Sequence, residues 1–188
     1  MPFELLHFRD ADKIFRKKRM TKNVMDTLKY VDDVLQGSFY RMSLLKTALT
    51  DMGWRENGSR NIIDGRKYQF KGFWNRIALE ANFQVYEFLH TGLFRLQLGF
   101  DKGILDAGVI LLTAQRSVKS PLGTSASLAI SEIEALYPTI SLPVSIALFD
   151  LGKPFCIDDE EPKINNVEPI PVHISPVAIE PHVQEVAA

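Results

Sequence analysis

The run Leu105-Asp-Ala-Gly-Val-Ile-Leu-Leu112 limits what this chain can fold into more than any other stretch. It is nearly continuous in apolar residues, without the alternation that a strand with one wet face displays. Spanning a bilayer takes about 20 apolar residues, so a run this short belongs inside a folded domain. It fits a central strand covered on both faces. Such a strand needs helices on either side, and the flanking sequence supplies them.

Thr21 is placed to cap a first helix, with Val24, Leu28, Val31 and Leu35 recurring on one face and Gly37 ending it. Ser38 opens a second, carrying Phe39, Met42, Leu45, Leu49 and Met52, which Gly53 closes. Asn57-Gly-Ser and Asp64-Gly-Arg are turn signals. Beyond them, Tyr68 to Phe70 and Asn75 to Phe83 read as strands, with Lys71-Gly72 turning one into the other. A third helix follows, with Tyr86, Leu89, Leu93 and Leu96 at helical spacing and Gly99 as its stop. After the apolar strand come a polar loop, Gln115 to Thr124, a fourth helix, Ser125 to Leu136, and a last strand, Val144 to Phe149. The order predicts an α/β fold, a mixed central sheet flanked by helices. Trp54 and Trp74 are assigned to packing.

With 188 residues the chain is long enough for one domain with a substantial core. That domain is expected over residues 1–156, with residues 157–188 an acidic, proline-dotted disordered tail. The overall charge of −1 hides an asymmetry. From Asp158 onward seven acids face Lys163 alone, giving −6 and leaving the rest of the chain at +5. A mildly basic body permits phosphate contact without requiring it. The single Cys156 excludes an internal disulfide and a cysteine-cluster zinc site, and the four histidines lack metal-ligand spacing. Neither a leader nor a membrane span is read, so a cytoplasmic location is expected.

Chemistry is most plausible at Glu80 and Asn82, two apart in Ile77-Ala-Leu-Glu-Ala-Asn82. On a strand they project from one face, about 7 Å apart. A carboxylate there can ligate a hard cation while the amide orients a water, the arrangement that metal-assisted phosphodiester hydrolysis uses. The commoner role of such a pair is a polar strand face. Asp106 reads as a strand-end carboxylate bonding nearby backbone N–H groups. Arg16-Lys-Lys-Arg19 reads as a solvated helix end that also suits phosphates.

The run Asn75-Arg-Ile-Ala-Leu-Glu-Ala-Asn-Phe83, followed by Gly103-Ile-Leu-Asp-Ala-Gly-Val-Ile-Leu-Leu112 and Leu142-Pro-Val-Ser-Ile-Ala-Leu-Phe149, resembles the BglII/BstYI-type restriction endonucleases of the PD-(D/E)XK superfamily. The resemblance covers roughly Tyr68 to Leu151. It implies a restriction-endonuclease-like fold and magnesium-dependent hydrolysis of double-stranded DNA at a short palindromic site by a homodimer. Glu80 would ligate Mg2+, Asn82 would position water, and Asp64 would be a second metal ligand. Arg116, Ser117 and Lys119, in the loop after the apolar strand, would contact DNA. Two positions depart from the family pattern. Lys71 stands nine residues before Glu80, where the family carries its first metal-binding aspartate, and Asn82 replaces a longer glutamine. The alternative implied by these departures is a catalytically inactive module of the same fold, binding DNA or another protein, with the Lys71 ammonium in the cation's place.

Overall fold

In the computed structural model, the described residues are 3–56, 60–63, 65–66, 68–83, 88–115 and 123–152. The apolar run forms β4 (Ala107–Thr113), the third strand from either edge of a five-stranded sheet. On one side it pairs in parallel with β3 (Ile77–Asn82), and on the other in parallel with β5 (Val144–Phe149). Antiparallel strands close both edges: β2 (Gly72–Trp74) beside β3, and β1 (Phe3–Phe8) beside β5. The sheet is therefore mixed, as expected. Val109, Ile110, Leu111 and Leu112 are each at most 1% exposed, so β4 is covered on both faces. Burying side chains of that size contributes about 1.5–3 kcal/mol apiece.

Two helical layers provide the cover. Alternate residues Ile77, Leu79, Ala81, Val109 and Leu111 share a core with α1 (Ala11–Lys17), α2 (Thr21–Leu35) and α3 (Arg41–Asp51). The opposite set, including Ala78, Ile110, Leu112, Ile146 and Leu148, packs against α4 (Phe88–Asp101) and α5 (Ala126–Ala135). Trp54 lies wholly in the first core, where its indole N–H donates to Thr27 Oγ1 at 2.8 Å. Trp74 meets it edge to face. Packing is thus the role of both tryptophans.

Several local expectations shift. The hairpin turns at Asn75-Arg76, with φ of 47° and 62°, rather than at Lys71-Gly72. Two consecutive left-handed residues make the tight turn that suits the twist of paired strands. In consequence the partner of β3 is Gly72–Trp74, while Tyr68–Phe70 contributes only an isolated bridge, Asn61 to Gln69. Thr21 is the first helical residue of α2, not its cap, and α3 starts at Arg41, with Ser38 Oγ accepting from the Tyr40 N–H in the approach. Ser125 caps α5 as expected, accepting from the Leu128 N–H at 3.2 Å. Gly99 does not end α4; it lies inside the helix, buried. A Cβ there would stand 2.7 Å from Phe70 and 2.8 Å from Leu105. β1 was not anticipated from the sequence, and α1 only through the helix end read at Arg16–Arg19.

Candidate functional site

Position along β3 decides which way Glu80 faces. Leu79 and Ala81 belong to the core with α1–α3, so Glu80 and Asn82 project to the α4 side, the shared face that their spacing implies. Helix α4 lies close to the sheet at Gly108 of β4, where a Cβ would stand 2.6 Å from Leu96 Cδ1. That approach brings the same turn of α4 close to β3. Arg95 there donates from Nε to Glu80 Oε1 at 2.9 Å.

Arg95 is held on three sides. Its Nη2 donates to the Gln69 carbonyl oxygen, and its guanidinium lies 4.1 Å from the centre of the Tyr68 ring. With 14% of the side chain exposed, the guanidinium has little water to compete with these partners. A cation over an aromatic face gains about 0.5–2 kcal/mol, more as it loses water. Register adds a second cation. Gly72 pairs with Leu79, and the Lys71 N–H donates to the Leu79 carbonyl oxygen at 3.0 Å, so Lys71 lies across from Glu80. The direct ion-pair partner of Glu80 is nevertheless Arg95, and Lys71 acts through its field.

Glu80 itself is 0% exposed. Its Oε2 makes no hydrogen bond among the described residues, although the Lys71 backbone N–H helps to stabilise the charged carboxyl. Burial pushes the carboxyl up to about 7, against the opposing pull of Arg95 and then Lys71. Taking a carboxylate out of water costs more here than one partly exposed guanidinium returns. Near neutral pH the group is divided between its two protonation states.

Beside Arg95 and Lys71, between α3 and residues 68–71, lies a pocket of about 470 Å³. Lys46, Arg55, Lys71 and Arg95 supply its charge, and among its described lining residues there is no acid. Met42 and Tyr68 are partly exposed in it, with Leu45, Leu49 and Phe70 buried behind them. Arg55 Nη1 donates to the Lys71 carbonyl oxygen, so two of the four cations are fixed by backbone acceptors.

The sequence-derived candidates divide accordingly. Glu80 and Asn82 are brought to one face, whereas Asp64, Arg116, Ser117 and Lys119 lie outside the described residues. Asp106 bonds side chains instead of the expected backbone N–H groups. Arg76 grips it at 2.7 and 3.1 Å and Lys18 at 2.7 Å, and the first of these holds its carboxyl down at about 2. Arg95, Tyr68, Lys46 and Arg55 were not singled out from the sequence. A lone arginine among the apolar positions of α4 was the available signal for Arg95.

The described residues do not make a magnesium site. A hard cation of that size takes about six oxygen ligands in octahedral array. Glu80 offers one unpartnered oxygen, with two basic side chains at hand, and no group of three or more His, Cys, Asp or Glu among the described residues could hold a metal ion.

No protein-family model and no curated protein matches the sequence. Two solved structures of the restriction endonuclease BglII are similar in fold. The first, in complex with a DNA 16-mer, has a TM-score of 0.57 and 14% identity over 79% of this chain and 76% of that one. The free enzyme gives 0.52 and 15% over 79% of each chain. The chain thus has a restriction-endonuclease-like fold.

Proposed function

We propose that this chain binds double-stranded DNA on a restriction-endonuclease fold, with side-chain cations in the region where a catalytic relative would keep its metal. The observation that carries this reading is the convergence of Arg95, Lys71, Lys46 and Arg55 on one pocket, the first two of them acting on the buried Glu80 carboxylate. A polyanion meets positive charge at such a site without an added ion. The body charge of +5 outside the acidic tail favours the same partner. A homodimer on a palindromic site is the accompanying expectation, since two-fold protein symmetry matches two-fold DNA symmetry.

The test is fluorescence anisotropy on mixed-sequence duplex with chelator present. Binding should persist without divalent ions and weaken linearly in log salt, with a smaller slope for Lys71→Ala. No binding at low salt would end the proposal. A second reading, magnesium-dependent cleavage with Glu80 and Asp64 as ligands and Asn82 orienting water, is favoured by one observation. Glu80 Oε2 is a buried carboxylate oxygen that makes no hydrogen bond among the described residues. Incubation with magnesium and plasmid DNA separates the two readings: discrete fragments that disappear with chelator and with Glu80→Ala would establish the nuclease.

A further inference from the structure

The pocket beside Glu80 has a shape that duplex binding alone does not require. We infer that it is a binding site for a nucleoside 5′-monophosphate, either free or at the end of a DNA strand, with the phosphate among Lys46, Arg55, Lys71 and Arg95 and the nucleoside against Met42 and Tyr68. This deepens the DNA-binding reading and rests on the same cations. Its volume, about 470 Å³, falls in the range of small-molecule sites and is far below what a double helix would fill. Here Met42 and Tyr68, both only partly buried, line one side of the cavity in front of the buried Leu45, Leu49 and Phe70, a surface that gains nothing from phosphate and suits a sugar or base face.

Charge points the same way. A phosphomonoester carries close to two negative charges at neutral pH, where an internal diester carries one. Four cations with no acid among the described lining residues suit the larger charge better. Preorganisation strengthens the match. The Arg95 guanidinium is fixed by Glu80, Gln69 and Tyr68, and that of Arg55 by the Lys71 carbonyl oxygen, so neither must be ordered when the ligand arrives. The two lysines differ in placement: Lys46 is exposed on α3, and Lys71 is half-buried across from Glu80.

Calorimetric titration of the full chain with thymidine 5′-monophosphate, thymidine and inorganic phosphate tests the inference. The monophosphate should bind at least about tenfold more tightly than either part alone, because a charge-assisted phosphate contact and apolar burial add. Lys46→Ala, at an exposed helix position that does not bear on folding, should weaken it by about tenfold, with recovery in Lys46→Arg. Equal affinity for monophosphate and thymidine, or no effect of Lys46→Ala, overturns the site. Affinity for inorganic phosphate equal to that for the monophosphate overturns the nucleoside half of it.

Duplexes ending in 5′-phosphate and in 5′-hydroxyl identify the source. Tighter binding of the phosphorylated end, lost in Lys46→Ala, assigns the site to strand termini, whereas monophosphate binding with no end preference assigns it to the free nucleotide. Duplex binding indifferent to both end and variant, with no monophosphate binding, removes the pocket and leaves the broader DNA-binding reading standing.

Discussion

Glu80→Gln is the most informative single change, because it separates burial from ion pairing at one carboxylate. In the unfolded chain the group ionises near its ordinary value of 4.5, whereas in the folded protein burial holds it at about 7. Below pH 4.5 both states are protonated and Glu80 brings no ionisation penalty to folding. As pH rises through that interval, the unfolded chain releases its proton while the folded one keeps it, so stability falls. The interval, at about 1.4 kcal/mol per pH unit, amounts to about 3 kcal/mol, lost in full above pH 7. Glutamine cannot ionise, so its variant escapes this loss. Urea unfolding followed by circular dichroism at pH 5, 6, 7 and 8 measures the difference. Relative to Glu80→Gln, the parent chain should lose about 2–3 kcal/mol between the ends of that series, the first part of the loss lying below pH 5. A difference that is flat, or that grows in the parent's favour with pH, would refute the reasoning. It would mean that Arg95 and Lys71 outweigh the lost hydration and that Glu80 is a paired carboxylate of ordinary kind.

Other changes test neighbouring claims. Arg95→Met removes the partner of a buried acid and should cost about 3–5 kcal/mol at pH 8 and less at pH 5, by the same unfolding measurement. Gly108→Ala forces Leu96 off its present seat and should cost about 1–3 kcal/mol, read as a lowered Tm in calorimetry. Trp54→Phe leaves the ring buried but deletes its bond to Thr27 Oγ1, and about 1–3 kcal/mol should be lost in urea unfolding.

The core of the fold was readable because its signals are local. Apolar continuity marked β4, β5 ended on its own apolar run, and the helical period of Val24, Leu28, Val31 and Leu35 marked α2. The hairpin slipped because Asn75 and Arg76 take left-handed backbone without a glycine to announce it. Gly99 was misread because a helix-ending glycine and a glycine admitting two neighbouring side chains look the same in one dimension. Phe3–Phe8 lacks clean alternation: Phe3 and Phe8 are buried, Leu5 and Leu6 half-buried and Glu4 and His7 exposed, so the strand is fixed by its pairing with β5 more than by a periodic pattern. At the site, the shared face of Glu80 and Asn82 followed from strand geometry. That an arginine 15 residues later meets Glu80 depends on how near α4 comes to the sheet, which Gly108 governs from a third element. No spacing rule along the chain encodes that distance.

The pairing of β1 with β5 sets an order of events for a nascent chain. Phe3 is matched to Phe149 and Phe8 to Val144, so the first strand made has to await the last one. Until then its backbone amides stay hydrated and its two phenylalanines lack their final seat. Contacts so distant along the chain close late and slow assembly. A fragment stopping before Val144 would expose one side of β4 and leave β1 without a neighbour, a species prone to stick to its own kind.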